Sequence, residues 1–192
     1  MLYSIIAPAL ALLSVAQAQS PQRPLTNYGA FTARSGSEAA IIGSIHNVLA
    51  LFNLALDTKN FDALRDVYTT DVVAKVAREP TNDLESLIKF YNGTTPGNVV
   101  TQHTSHTILV YDIKHLTAKS ISYANAYYFS PLEEGKLFAR DVNSVYERHD
   151  DSWVREPSGQ WKIKERSINI YAQVGNSSLV PPTQPTFNTS NV

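Results

Sequence analysis

The side chains best suited to moving protons in this chain are its five histidines. Two of them, His103 and His106, fall within one stretch, Val99 to Asp112 (VVTQHTSHTILVYD). The rest of that stretch is largely β-branched and apolar, as in a strand. An imidazole set there can act as a general acid or base, because its neutral and charged forms interconvert near physiological pH. The alternative for His103 is a histidine satisfied by a backbone carbonyl at a strand end. His106 lies three residues on and so falls on the other face of a regular strand, which reads as a surface or interface position. His46 sits on a helical stretch dominated by core residues and reads as structural. His115 and His149 fall in polar, loop-like sequence. His103 and His106 share no strand face, and no carboxylate spacing accompanies them, so no metal site is predicted. No glycine-rich phosphate loop or serine nucleophile elbow is present, and the reading requires no cofactor.

The elements that must position these groups follow from periodicity. Ile41, Ile45, Val48, Phe52 and Ala55 recur at steps of four and three, and Ile42, Leu49 and Leu56 broaden the stripe. This predicts a helix from Ser37 to about Leu56, packed deeply against a sheet. Asp57-Thr-Lys-Asn60 breaks it, and Phe61, Leu64 and Tyr68 mark a short second helix. Val72 to Val76 predicts a short strand. Thr81 is a plausible N-cap for a third helix through Leu84, Leu87, Ile88 and Tyr91, ended by Asn92-Gly93. Strands then follow at Val99–Asp112, Lys119–Phe129, Leu137 to about Arg148, and Trp161–Val174. In the second of these, Tyr123, Asn125 and Tyr127 share one face, which either lines a binding pocket or packs as cross-strand aromatic pairs. Trp153 and Trp161 read as core or rim, and Arg166 as the structural partner of a carboxylate in the hairpin after the first helix. Helices first and strands later indicate an α+β fold with an antiparallel sheet.

Composition narrows the partners and the compartment. The chain has 192 residues, enough for one domain with a full core, and a formal net charge of -1. No basic surface is implied, so nucleic acid and anionic membranes are not expected as partners. The apolar run Ile5–Val15, closed by Ala16-Gln17-Ala18, has the form of a cleaved signal peptide over 1–18. The expected address is therefore extracellular, with no membrane association after cleavage. Three sequons, at Asn92, Asn176 and Asn188, fit that route as glycosylation sites. No cysteine is present, so the fold must hold by burial without disulfides. Residues 19–36 read as an exposed arm, 37–174 as the domain, and 175–192 as a disordered, glycosylated tail rich in Asn, Ser, Thr and Pro.

Three stretches in this order, LALDTKNFDALRDVYTTDVV, VVTQHTSH and YERHDDSWVREPSGQWKIKERS, resemble the nuclear transport factor 2-like, or SnoaL-like, superfamily. The resemblance spans residues 38 to 172. It implies a cone, in which a curved antiparallel sheet wraps the long first helix and leaves a pocket at the wide end. Within the superfamily, the scytalone dehydratase branch is similar at Asp57, which ends the first helix, and at His103 in its Thr-Gln-His run. What the resemblance implies is a dyad, with Asp57 orienting His103 for acid–base chemistry. Capping of the following helix is the other reading of Asp57. The chain departs from that branch at Leu56, where a tyrosine is expected. It also lacks a histidine over residues 124–128 and a tyrosine over residues 72–76. Scytalone is thus a doubtful substrate, but a related elimination, isomerisation or cyclisation on a small hydrophobic, polyketide-like or aromatic molecule fits. The alternative is a non-catalytic ligand-binding or protein-interaction protein of the same fold. A homodimer through the open sheet face is a further implication. The leader gives a direct test: mass spectrometry of protein recovered from culture medium should find a mature N-terminus at about Gln19, and an intact Met1 would contradict it.

Overall fold

The computed structural model describes residues 36–76 and 79–180. The expected leader, nearly all of the arm, Asn188 and the last part of the tail lie outside the described residues. The first helix, α1, spans Gly36–Asp57 and buries Ile45, Leu49, Phe52, Ala55 and Leu56, close to the stripe read from periodicity. His46, on the same helix, is exposed. Lys59, at φ 59°, takes the left-handed conformation just beyond the helix end, and Thr58 returns both its N–H and its hydroxyl to Leu54 O. A 3-10 turn at Phe61–Asp66 stands where the second helix is expected. It leads into β1, Tyr68–Val76, and the short β2, Glu79–Thr81. Helix α2, Leu84–Thr94, is capped by Asp83, whose carboxylate accepts from Ser86 N–H, and Thr81 belongs to β2. Asn92 lies inside this helix and not in a turn beyond it.

Four long strands follow: β3 (Val100–Tyr111), β4 (Thr117–Phe129), β5 (Val142–Arg155) and β6 (Trp161–Gly175). The sheet order is β2-β1-β6-β5-β4-β3. It is a mixed sheet, because β1 runs parallel to β6 while every other pair is antiparallel. The expectation of a wholly antiparallel sheet is corrected at this one junction. A parallel pair needs a long crossover, and the chain supplies one in α2, β3, β4 and β5. The third long strand starts and ends later than expected, so His149 is a strand residue with 2% exposure, not part of a loop. A 3-10 turn at Ser177–Leu179 follows β6, and Val180 is buried against Val99, Ala126, Tyr128 and Val145. Packing therefore continues six residues past the expected domain end at 174.

The sheet turns small residues toward α1. Ala118, Ser120, Ser122, Ala124 and Ala126 of β4 are all 6% exposed or less. The larger Tyr123 and Tyr127 alternate onto the other face and are half-buried there. One row of the inner face is ionic. Ser120, Asp151 and Arg166 are cross-strand partners on β4, β5 and β6. Arg166 holds the Asp151 carboxylate by two bonds, at 2.7 and 2.8 Å, and donates a third to Tyr68 Oη at 2.9 Å. Its guanidinium lies 4.4 Å from the centre of the Phe52 ring. Its partner is thus a neighbouring-strand carboxylate, not one from the hairpin after α1. Both charged side chains are fully buried, so removing one charge strands the other. Asp151→Asn should cost about 3–5 kcal/mol of stability, measured by urea denaturation; a loss below about 1 kcal/mol would contradict a dry ion pair.

Candidate active site

Asp57 and His103 meet. Asp57 ends α1, and His103 stands on β3, the outer strand of the sheet. The main-chain N–H of His103 donates to both oxygens of Asp57 at 3.0 Å, and the ring Nδ1 lies 2.7 Å from Oδ1. The carboxylate can only accept, so Nδ1 carries the hydrogen and Nε2 keeps its lone pair. Asp57 thereby fixes the ring's tautomer and its angle. A carboxylate at a helix C-terminus faces the negative end of the helix dipole. It is offset by the two donors of His103 and by the Lys59 ammonium. Burial lowers the pKa of Lys59, and Asp57 opposes that shift. Lys59 Nζ donates to Thr101 Oγ1 at 2.6 Å, and Asn53 Nδ2 donates to Ser105 Oγ at 3.1 Å. Three residues of the α1 end thus hold three alternate positions of β3, with His103 in the middle.

His103 faces a cavity between α1, α2 and the sheet, lined also by Phe52, Tyr91, Tyr128, Glu147 and His149. It holds about 30 Å³ of free space, room for about one or two water molecules. The open pocket expected at the wide end of the cone is largely filled by these side chains. A roomier depression of about 560 Å³ lies elsewhere, between the first turn of α1, Lys114, His115, Arg155 and Trp161. The Tyr128 ring stands 6.1 Å from the His103 ring, nearly perpendicular to it.

Of the three residues expected to bind ligand, only Asn125 lines the cavity, and its Oδ1 is engaged by His106 Nε2 at 2.6 Å. Tyr123 and Tyr127 lie on the opposite sheet face. The Tyr123 ring is 6.2 Å from His106 and 6.3 Å from Tyr171, and Tyr127 stacks on Phe129. Strand alternation separates them from the Ala124 and Tyr128 positions that do line it. His106 is on that outer face, as its spacing from His103 requires.

A SnoaL-like domain matches residues 37–167. The chain belongs to the SnoaL-like family. No curated protein sequence matches it. Among solved structures, the SnoaL-like domain is similar to a candidate scytalone dehydratase from Novosphingobium aromaticivorans, at TM-score 0.62 and 17% identity over 72% of this chain and 89% of that one. It is similar to the hexachlorocyclohexane dehydrochlorinase LinA, type 2, at TM-score 0.61 and 13% identity over 76% and 96%. A nuclear transport factor 2-like protein from Salmonella enterica gives TM-score 0.58 and 11% identity over 70% and 94%. At these identities the likeness is one of fold.

Two cavity residues of this SnoaL-like domain escaped the sequence reading. Glu147 and His149 both line the space, and His149 Nε2 lies 2.8 Å from Glu147 Oε2. Glu147 falls inside the expected third strand without a role assigned to it, and His149 lies just past that strand's expected end in polar, loop-like sequence; bulges after Tyr146 and Ser152 interrupt the strand's register. The same interior holds three buried phenols. Burial raises the pKa of Tyr68, Tyr91 and Tyr128, and the Glu147 and Asp57 charges add to the effect on Tyr128. A folded-state pKa above the unfolded one stabilises fully below the unfolded value, about 10, and is lost as pH rises through the folded value. In an alkaline titration followed at 295 nm, three of the ten tyrosines should ionise late and together with unfolding; simple titration of all ten near pH 10 would contradict this.

Proposed function

We propose that this protein is a secreted, cofactor-independent enzyme of lyase or isomerase type, acting by proton transfer on a small hydrophobic molecule of polyketide-like or aromatic character. The observation that carries the reading is the Asp57–His103 pair at the wall of an interior cavity. His103 Nε2 takes a proton from carbon, and Asp57 stabilises the imidazolium that results. The carbanion-like electron pair then expels a leaving group, shifts a double bond or closes a ring. Two fold neighbours bear the names of a candidate dehydratase and a dehydrochlorinase, names that denote loss of water and of hydrogen chloride. Burial of the pair, at 11% and 21% side-chain exposure, keeps water from competing for it.

The small free volume sets a condition. A substrate of ring size must displace side chains that now fill the cavity. Helix α2 supplies Phe90, Tyr91 and Thr94 to the lining, with Thr95 just beyond its end, and is the element that closes the space over His103. The same volume favours the second reading, a non-catalytic secreted binding protein. In that case the Asp57–His103 contact serves only to fasten β3 to α1. The extracellular address rests on the leader and on sequons of which Asn92 and Asn176 are exposed. A homodimer through the face bearing Tyr123, Tyr127 and Tyr146 accompanies either reading.

Incubation of the purified protein with small β-hydroxy ketones and carbon acids in heavy water, read by mass spectrometry, separates the two. The enzyme loses water from a compound or exchanges its carbon-bound hydrogen for deuterium. His103→Asn should lower that rate by about 10²–10⁴-fold while leaving binding of the same compound within a few fold. Binding without turnover, unaffected by His103→Asn, would instead select the non-catalytic reading.

A further inference from the structure

Two strands from His103 in the same sheet stands a second imidazole–carboxylate pair. His149 and Glu147 belong to β5, line the same cavity, and are held together at 2.8 Å through Nε2. Glu147 accepts, so Nε2 carries the hydrogen and Nδ1 is the free nitrogen. That Nδ1 is fully buried and has no hydrogen-bond partner. Beside it in the strand register is Ser122, whose hydroxyl is also buried and unpartnered. A buried polar atom without a partner is uncommon in folded proteins. His149 lines a cavity with room for a water or a ligand hydroxyl, and a polar group seated beside it would meet the unpartnered Nδ1. The Phe52 ring packs against this imidazole at 6.2 Å, nearly perpendicular to it.

We propose that Glu147 and His149 form a second proton-handling pair of the same cavity, with His149 as the group that protonates the departing or carbonyl oxygen of the substrate. The proposal rests on the acid–base reading of His103. In an elimination, His103 Nε2 takes the proton from carbon, and the C–H electron pair becomes the new π bond. The C–O bond breaks with its pair onto oxygen, and His149 Nδ1–H gives its proton to that oxygen, which leaves as water. One imidazole ends charged and the other neutral, and exchange with solvent restores both. Glu147 accepts from His149 Nε2 as Asp57 accepts from His103 Nδ1, so each ring has a carboxylate beside it when it carries the extra proton. Substrates of this site therefore carry an oxygen on the carbon next to an acidic C–H. The other ionisable groups nearby are accounted for. Asp151 and Arg166 pair with each other, Asp57 is engaged by His103, and Tyr68, Tyr91 and Tyr128 remain protonated.

Imidazole nitrogen spectra of ¹⁵N-histidine-labelled full-length protein, recorded across pH while the fold persists, test this without a substrate. His149 Nδ1 should gain a proton reversibly in the native state. Glu147→Gln should move that event down by about one pH unit. His103→Asn should move it up by roughly 0.5 pH unit or more, because two charges sharing one small cavity oppose each other. A His149 that stays neutral, or stays charged, throughout the native range overturns the proposal. So does a His103→Asn variant that leaves His149 unmoved, and that arm decides alone if Glu147→Gln does not fold. The His103 signals in the same spectra report on the first reading separately. A His103 that never titrates sinks that reading, and a silent His149 beside a responsive His103 sinks only this one.

Discussion

The contact on which this architecture turns is the grip of one carboxylate on an outer strand. β3 closes one side of the sheet, where main-chain N–H groups lack a further strand to pair with. Asp57 satisfies one of them, that of His103, and takes the ring of the same residue with the other half of its capacity. Lys59 and Asn53 tie Thr101 and Ser105 on either side. The helix end and the strand are therefore fixed in one register, and the imidazole has no freedom to leave it. Any chemistry at Nε2 inherits this rigidity, because the groups that set the ring's angle also hold the backbone beneath it.

A second constraint runs through Phe52. Its ring is packed edge-on against Tyr68, Tyr91 and His149 and lies under the Arg166 guanidinium. The buried ion pair and the cavity thus share a wall. The charged row Ser120–Asp151–Arg166 lies directly below the row Ser122–His149–Ile168. Polar groups occupy successive steps of the inner face, and apolar packing resumes at Ala118, Trp153 and Ile163. This division gives one end of the cone a hydrophobic core and leaves the other end for chemistry.

Much of this was legible in the sequence. The helical stripe from Ile41 to Leu56 identifies α1 because one face of it is uninterrupted. The alternation in Lys119–Phe129 identifies β4, and the Asp57–His103 pair was reached through resemblance, not through spacing. What escaped has physical reasons. Alternation shows that β4 has two faces but not which is inward, and the bulky tyrosines looked like the inner one. The small face is the buried one instead. His149 and Asp151 fell beyond the expected strand end and Glu147 drew no role within it, because polar residues at strand positions look solvated until their partners are known. Those partners lie on other elements or across a bulge. The parallel pairing of β1 with β6 joins segments about 90 residues apart, beyond the reach of local pattern.

The floor of small residues on β4 has a consequence for the cavity. Ala124 lines the cavity beside His103 and holds no proton-carrying group in place. Adding or removing a methyl there would resize the chamber while the imidazoles and their carboxylates keep their seats. The size of the space beside His103 is therefore set on β4 independently of the contacts that hold the two imidazoles.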